Sequence, residues 1–146
     1  MYRTIVVGTD CSATAEVAVQ RAAALARTFD ATLHVVSAFR ESVGSVLAAS
    51  VASGSHLPEW QSSPIAERDA SIDELAARLR ATGVRVATTV DTGDAATTLV
   101  AVAERVGADL IVVGDRGMKG VRGVFASVPS SVTHKSPVDV LVVHTA

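Results

Sequence analysis

The chain has 146 residues, of which 49% are hydrophobic and only 3% aromatic, with a formal net charge of -2. That length suits one domain able to bury a full core without disulfide or metal staples, and the shortage of rings leaves Val, Leu, Ile and Ala to build it, as in a parallel sheet covered by small-residue helices. Lys119 and Lys135 are the only lysines and Trp60 and Tyr2 are isolated rings, so there is neither a basic field for a nucleic-acid backbone nor a stacking platform for bases, while the single Cys11 excludes an internal disulfide and points to a reducing compartment.

Met1 to Val7 runs straight into an apolar strand, without the apolar region and cleavage site of a signal peptide, and no apolar run approaches eighteen residues. The expectation is a cytoplasmic chain with no membrane span. Thr4 to Gly8 reads as a buried strand that empties into Thr9-Asp10-Cys11-Ser12. From Ser12 the period becomes helical: Ala15, Ala18 or Val19, Ala22, Leu25 and Phe29 share a face, with Glu16 in the first turn and Arg27 in the last. A tight Phe29-Asp30 link leads to a second strand, Ala31 to Ala38.

Residues 39 to 63 are punctuated by Ser, Gly and Pro58 and predict an irregular loop, with room for a short helix around Val46 to Val51. Ser63-Pro64 then offers an N-cap and a first-turn proline to a helix striped by Ile65, Ile72, Leu75, Ala76 and Leu79, ending near Gly83. Val84 to Val90 is the third strand and Asp91 to Asp94 a turn, with Asp94 capping a helix striped by Ala96, Leu99, Val100, Ala103 and Val106 and closed by Gly107. Asp109 to Val113 is the fourth strand, 114 to 126 a glycine-rich loop, 128 to 135 a helix, and Val138 to Val143 the fifth strand. Strands alternating with helices predict an α/β fold: an open parallel five-stranded sheet with helices on both faces. Ligands of such sheets bind beyond the carboxyl ends of the strands, where the strand order reverses. That rule selects Thr9-Asp10 and Gly114 onward, provided the first and fourth strands are neighbours.

The loop has glycine at every third position, Gly114, Gly117, Gly120 and Gly123, and leads to a helix start at Ser127-Val128-Pro129-Ser130. Glycines let the backbone approach a ligand, and a helix N-terminus favours an anion, so this is a candidate phosphate cradle; a long flexible turn is the alternative. It matches neither GxxxxGK[ST] nor a GxGxxG after the first strand, so a P-loop hydrolase and a hydride-transfer dinucleotide fold are both poor fits. Arg116, Lys119 and Arg122 either screen phosphates or are solvated loop charges. Asp10 could hold a ribose hydroxyl or a phosphate-bridging metal, with Thr9 and Ser12 donating hydroxyls, or it could cap the first helix. Cys11 reads as structural, because neither His34 nor His56 has reason to lie beside it. His134 and His144 lack the spacing or carboxylate partner of a metal site. The apolar strand 138–143, if it forms a sheet edge, predicts a homodimer through that edge, or a cover supplied by loop 39–63.

Taken together, Ile5-Val6-Val7-Gly8-Thr9-Asp10-Cys11-Ser12, Gly93-Asp94-Ala95, Val112-Val113-Gly114-Asp115-Arg116-Gly117 and Ser136-Pro137-Val138-Asp139-Val140-Leu141-Val142-Val143 resemble the universal stress protein family across essentially the whole chain. The resemblance implies a Rossmann-like, adenine nucleotide alpha hydrolase-like sheet of strand order 3-2-1-4-5. In the family's ATP-binding branch the motif is glycine, two residues, glycine, nine residues, then glycine with serine or threonine. Gly114 and Gly117 match its first half; aligning Ser127-Val128 with the family's second half leaves eight intervening residues and places Ala126 where the glycine belongs. By resemblance, Thr9, Asp10 and Ser12 approach ribose or phosphates, and Val36, Ser37 and Ala38 line the adenine over an apolar floor completed by Val113. Gly114, Gly117, Met118, Gly120, Ala126, Ser127, Val128 and Ser130 surround the phosphates, and Mg2+ meets Asp10 only indirectly, through those phosphates. The implied protein is a cytoplasmic, dimeric stress-response protein that binds ATP or cyclic AMP and has no catalytic residue. A dimeric interaction protein that binds no nucleotide, or a weak ATP hydrolase, are the alternatives.

Overall fold

A computed structural model describes residues 1–40, 64–115 and 127–145. The elements are β1 (Thr4–Gly8), α1 (Ala13–Phe29), β2 (Thr32–Phe39), α2 (Pro64–Ala81), β3 (Arg85–Thr92), α3 (Ala95–Val106), β4 (Leu110–Gly114), α4 (Ser127–Lys135) and β5 (Asp139–Val143). Every strand pairing is parallel, and the order is β3-β2-β1-β4-β5, the order that the family resemblance implies. Among the described residues no helix is long and apolar enough to cross a membrane.

The alternation of side chains along each strand divides the core into two layers. Ile5, Val7, Leu33, Val35, Leu110 and Val112 face α1 and α2, where they meet Ala18, Ala22, Ile72 and Leu79. Val6, Val36, Ile111 and Val113 face the other way, against Leu99 and Ala103 of α3 and Val132 of α4. Because β1 and β4 are central, their side chains are buried on both faces, which is why they read as unbroken β-branched runs. The buried face of α1 is largely alanine, Ala15, Ala18, Ala22, Ala23 and Ala26, so the helix lies close on the sheet without large side chains.

Caps set the helix ends. Ser12 accepts the Ala15 N–H at 3.1 Å at the start of α1, and Asp94 accepts the Thr97 N–H at 3.0 Å at the start of α3. Gly107 closes α3 in the left-handed region at φ 63°. The corresponding residue of α1 is Asp30 at φ 55°, one of the few side chains that tolerate this conformation. At the foot of the sheet, Asp109 accepts the N–H groups of Arg3 at 2.7 Å and Thr4 at 3.0 Å, tying the start of β4 to that of β1.

Most element ends agree with the sequence reading to within one residue; one boundary and one side chain depart further. Asp91 and Thr92 belong to β3 rather than to a turn, because β2 continues to Phe39 and provides ladder partners, Ala38 for Asp91 and Phe39 for Thr92. The turn contracts to Gly93, at φ 138°, whose N–H reaches the Phe39 carbonyl at 2.9 Å. Ile65 is not part of the buried stripe of α2: it is 38% exposed, whereas Ile72, Leu75, Ala76 and Leu79 are buried. The inward position at that end of the helix belongs to Arg68, which finds polar partners there. The expected Ser63 cap, the loop 41–63 with its short helix, and Arg116, Gly117, Met118, Lys119, Gly120, Arg122, Gly123 and Ala126 lie outside the described residues.

Candidate functional site

From β1 the chain passes through α1 toward β2 and β3, and from β4 it leads through α4 toward β5. The segments following these two adjacent strands therefore diverge, and a crevice opens between them at the carboxyl edge of the sheet. Its floor and back are apolar, made by Val36 and Ala38 of β2, Val113 of β4 and Leu99 of α3. Thr9 and Asp10 form one rim, and Gly114 and Asp115 the other; Val128 and Pro129 bring the first turn of α4 to the same opening.

At both strand-end glycines a Cβ would press on a neighbouring side chain. A Cβ on Gly8 would lie 2.9 Å from Leu99 Cδ1, and one on Gly114 would lie 2.9 Å from Thr145 Cγ2. Beyond Gly8 the backbone makes a tight turn built from its own polar groups. The Thr9 N–H donates to the Val36 carbonyl at 2.9 Å, the Cys11 N–H to Thr9 Oγ1 at 3.0 Å, and the Ser12 N–H to Asp10 Oδ1 at 2.9 Å. Cys11 sits at φ 65°, a left-handed conformation unusual for a residue with a side chain. Burial pushes its thiol up, opposed mainly by the positive charge of Arg68.

On the other rim, Asp115 Oδ1 accepts the Thr145 hydroxyl at 2.7 Å and the Thr145 N–H at 2.9 Å, and Oδ2 meets His144 Nδ1 at 2.7 Å. These partners, the Thr145 hydroxyl first, hold the Asp115 carboxyl well below the usual carboxylate range. The Asp115 N–H also donates to the Val143 carbonyl at 2.9 Å, so the end of β5 is fastened to the start of the glycine loop. Spacing alone offered His144 no carboxylate; folding supplies one across 29 positions of sequence. Among the described residues no group of three His, Cys, Asp or Glu side chains is placed to hold a metal ion.

Of the residues singled out from sequence, Thr9, Asp10, Val36, Ala38, Val113, Gly114 and Val128 line this one crevice. Ser12 is at its margin as the cap of α1, and Ser127 begins α4. Ser37 is fully buried and lies on the opposite face of β2 from Val36 and Ala38, where its hydroxyl accepts from Arg68 at 3.1 Å. Ser130 is exposed on α4. Gly117, Met118, Gly120 and Ala126 are outside the described residues.

Other lining residues had been read only as scaffold or passed over. Ala15 and Leu99 belong to helical stripes that double as cleft wall, Ala95 is the first residue of α3, and Asp115 is simply the second residue of the glycine loop. A closer reading of helix starts facing the strand ends would have found them. Arg68 carries no local signal at all.

Comparison with known proteins agrees with this architecture. The Universal stress protein family matches over residues 1–144. Universal stress proteins from two strains of Mycobacterium tuberculosis are each 36% identical over 145 residues, a match that spans 99% of this chain and 97% of each relative. Among solved structures, a universal stress protein in complex with cAMP is 31% identical, with a TM-score of 0.71 over 99% of this chain and 98% of that one. A universal stress protein from Archaeoglobus fulgidus in complex with dAMP shares the fold at 22% identity, with a TM-score of 0.65 and 97% of each chain covered.

Proposed function

Since the chain belongs to the universal stress protein family, we propose that it binds an adenine nucleotide, ATP or cyclic AMP, in the crevice between the ends of β1 and β4. The observation that carries this reading is the juxtaposition of an apolar floor, Val36, Ala38 and Val113, with the polar rim of Thr9 and Asp10 and the first turn of α4. Each part suits one portion of the ligand. A purine ring gains by burying its faces on the apolar floor. The Asp10 carboxylate accepts from ribose hydroxyls, as acidic residues do at this edge of nucleotide-binding sheets. Phosphates lie toward Gly114 and the N-terminus of α4, whose dipole and first-turn N–H groups favour negative charge. The relative solved with cAMP supports an adenine ligand for this branch.

No triad of ligating side chains fits a resident metal among the described residues, so Mg2+ would enter with the phosphates and meet Asp10 through them. The same reading makes the protein a cytoplasmic homodimer. β5 is the last strand of the sheet and Val142 on it is 44% exposed, an apolar edge suited to a second copy.

Calorimetric titration with ATP, cyclic AMP and GTP, with and without Mg2+, tests the ligand. Saturable binding of an adenine nucleotide, weakened about tenfold or more by Asp10→Ala through the loss of charge-assisted hydrogen bonds, is the expected result. Absence of binding by either adenine nucleotide at millimolar concentration would refute it. Light scattering on Val142→Glu tests the edge: the variant should be monomeric where the wild type is dimeric, and a monomeric wild type removes the dimer from the proposal.

A further inference from the structure

Behind the crevice, on the opposite face of the sheet, α2 sends one side chain to the turn that forms the crevice rim. Arg68 Nη1 donates to the Asp10 backbone carbonyl at 3.0 Å and to Ser37 Oγ at 3.1 Å. Its guanidinium carbon lies 5.3 Å from the centre of the Phe39 ring. One planar cation thus joins three elements: α2, the turn after β1, and the end of β2. A guanidinium suits this position because it donates along fixed directions while stacking on a ring, which an ammonium cannot do in the same geometry.

The turn it grips needs an external hold. Cys11 occupies the left-handed region at φ 65°, a conformation that persists in a residue with a side chain only where the surroundings impose it. The internal bonds to Thr9 Oγ1 and Asp10 Oδ1 secure the N–H groups of Cys11 and Ser12. The carbonyl of Asp10, on the other side of the same turn, is secured by Arg68. Ser37 Oγ, in a fully buried residue, accepts from the same guanidinium.

We propose that Arg68 is a positioning residue for the crevice: by holding the Asp10 carbonyl from behind, it sets the direction in which the Asp10 carboxylate and the Thr9 hydroxyl meet the ligand, and it ties the ligand site to α2. Its effect on affinity rests on the nucleotide reading above; its effect on the turn does not.

The experiment uses the full chain with Arg68→Met, which keeps side-chain length and removes the donors, and Arg68→Lys, which keeps the charge but not the fork. In the ligand-free protein, residue-resolved amide exchange at Cys11 and Ser12 should be about tenfold faster in Arg68→Met, the factor that corresponds to losing one charge-assisted hydrogen bond, with Arg68→Lys intermediate. Affinity for the adenine nucleotide that binds should fall about tenfold in Arg68→Met. In an Asp10→Ala background the same change should cost clearly less than it does in the wild type, because one of the two groups being positioned is gone and only the Thr9 hydroxyl remains. Unchanged exchange at Cys11 and Ser12 in both Arg68 variants overturns the proposal whether or not a nucleotide binds. Fully additive affinity losses with Asp10→Ala overturn it as well, since they mark general destabilisation. Accelerated exchange in a wild-type background that binds no nucleotide refutes the nucleotide reading and supports Arg68 as the brace of the turn.

Discussion

Gly114→Ala is a sharp test of how the crevice rim is built. The backbone of Gly114 lies outside the left-handed region, so an alanine there meets no conformational penalty and the whole cost is steric. Its Cβ would stand 2.9 Å from Thr145 Cγ2, well inside van der Waals contact, whereas Ala18 Cβ at 3.7 Å is an ordinary neighbour. Thr145 has little freedom to yield: it is buried, and its hydroxyl and N–H both bind Asp115 Oδ1, at 2.7 and 2.9 Å. Overpacking at such a site costs about 1–3 kcal/mol, which lowers the melting temperature of a domain of this size by roughly 2–10 °C. The decisive measurement is a double-mutant cycle with Thr145→Ser, which deletes the obstructing methyl and keeps the hydroxyl on Asp115. Thr145→Ser alone should cost about 0.8 kcal/mol for the lost methyl. If the clash is the cause, adding Gly114→Ala to that variant costs almost nothing, and urea unfolding gives a coupling as large as the single-variant cost, about 1–3 kcal/mol. Additive losses, or a neutral Gly114→Ala, would show that the close approach of β4 to the C-terminal segment is not what requires glycine.

The remaining outcomes concern the same rim and its support. Asp115 titrates below the ordinary carboxylate value in the folded chain, so its contribution to stability is complete above about pH 4 and is lost as the pH falls toward its folded value. Asp115→Asn should therefore be less stable than wild type at neutral pH, with a gap that narrows steadily below about pH 4; urea curves that stay equally separated down to pH 2 would contradict this. Leu99 is 3% exposed, covers Gly8 and forms part of the crevice wall, so Leu99→Ala should cost about 3 kcal/mol in chemical denaturation. A loss under about 1 kcal/mol would mean that α3 closes over the vacated space.

The division between what the sequence determined and what required the fold follows the range of the interactions. Period-two and period-3.6 patterns, an Asp94 cap and a Gly107 stop are signals that act within four residues, and they placed every strand and helix of the described chain in its order. β1 and β4 read as buried strands, and the segments after them, Thr9-Asp10 and Gly114 onward, form a crevice because the two strands are neighbours. Local signals misjudge elements whose limits are set by a neighbour. Asp91 and Thr92 look like a turn in isolation, yet they are strand because Ala38 and Phe39 stand opposite. Ile65 continues a helical stripe but is exposed, and one turn further on the same face carries Arg68, which reaches polar partners. Ser37 flanks two crevice residues in sequence and points to the other face, a consequence of the pleat that becomes visible only when the crevice is assigned to one side of the sheet.

Contacts between distant residues were beyond sequence reading altogether. Asp115 finds His144 and Thr145 because β5 ends beside β4, and Arg68 reaches Ser37 and Asp10 across 31 and 58 positions. No periodicity encodes such meetings, since they depend on the sheet register and on where α2 rests against β2. The sequence by itself determined the order of elements and the apolar stripes of the helices, and it named Thr9-Asp10 and Gly114 onward as the segments that meet once β1 and β4 are neighbours. The tertiary structure decided which polar groups hold its rim, because each of those groups is satisfied by a partner that only the folded chain brings near.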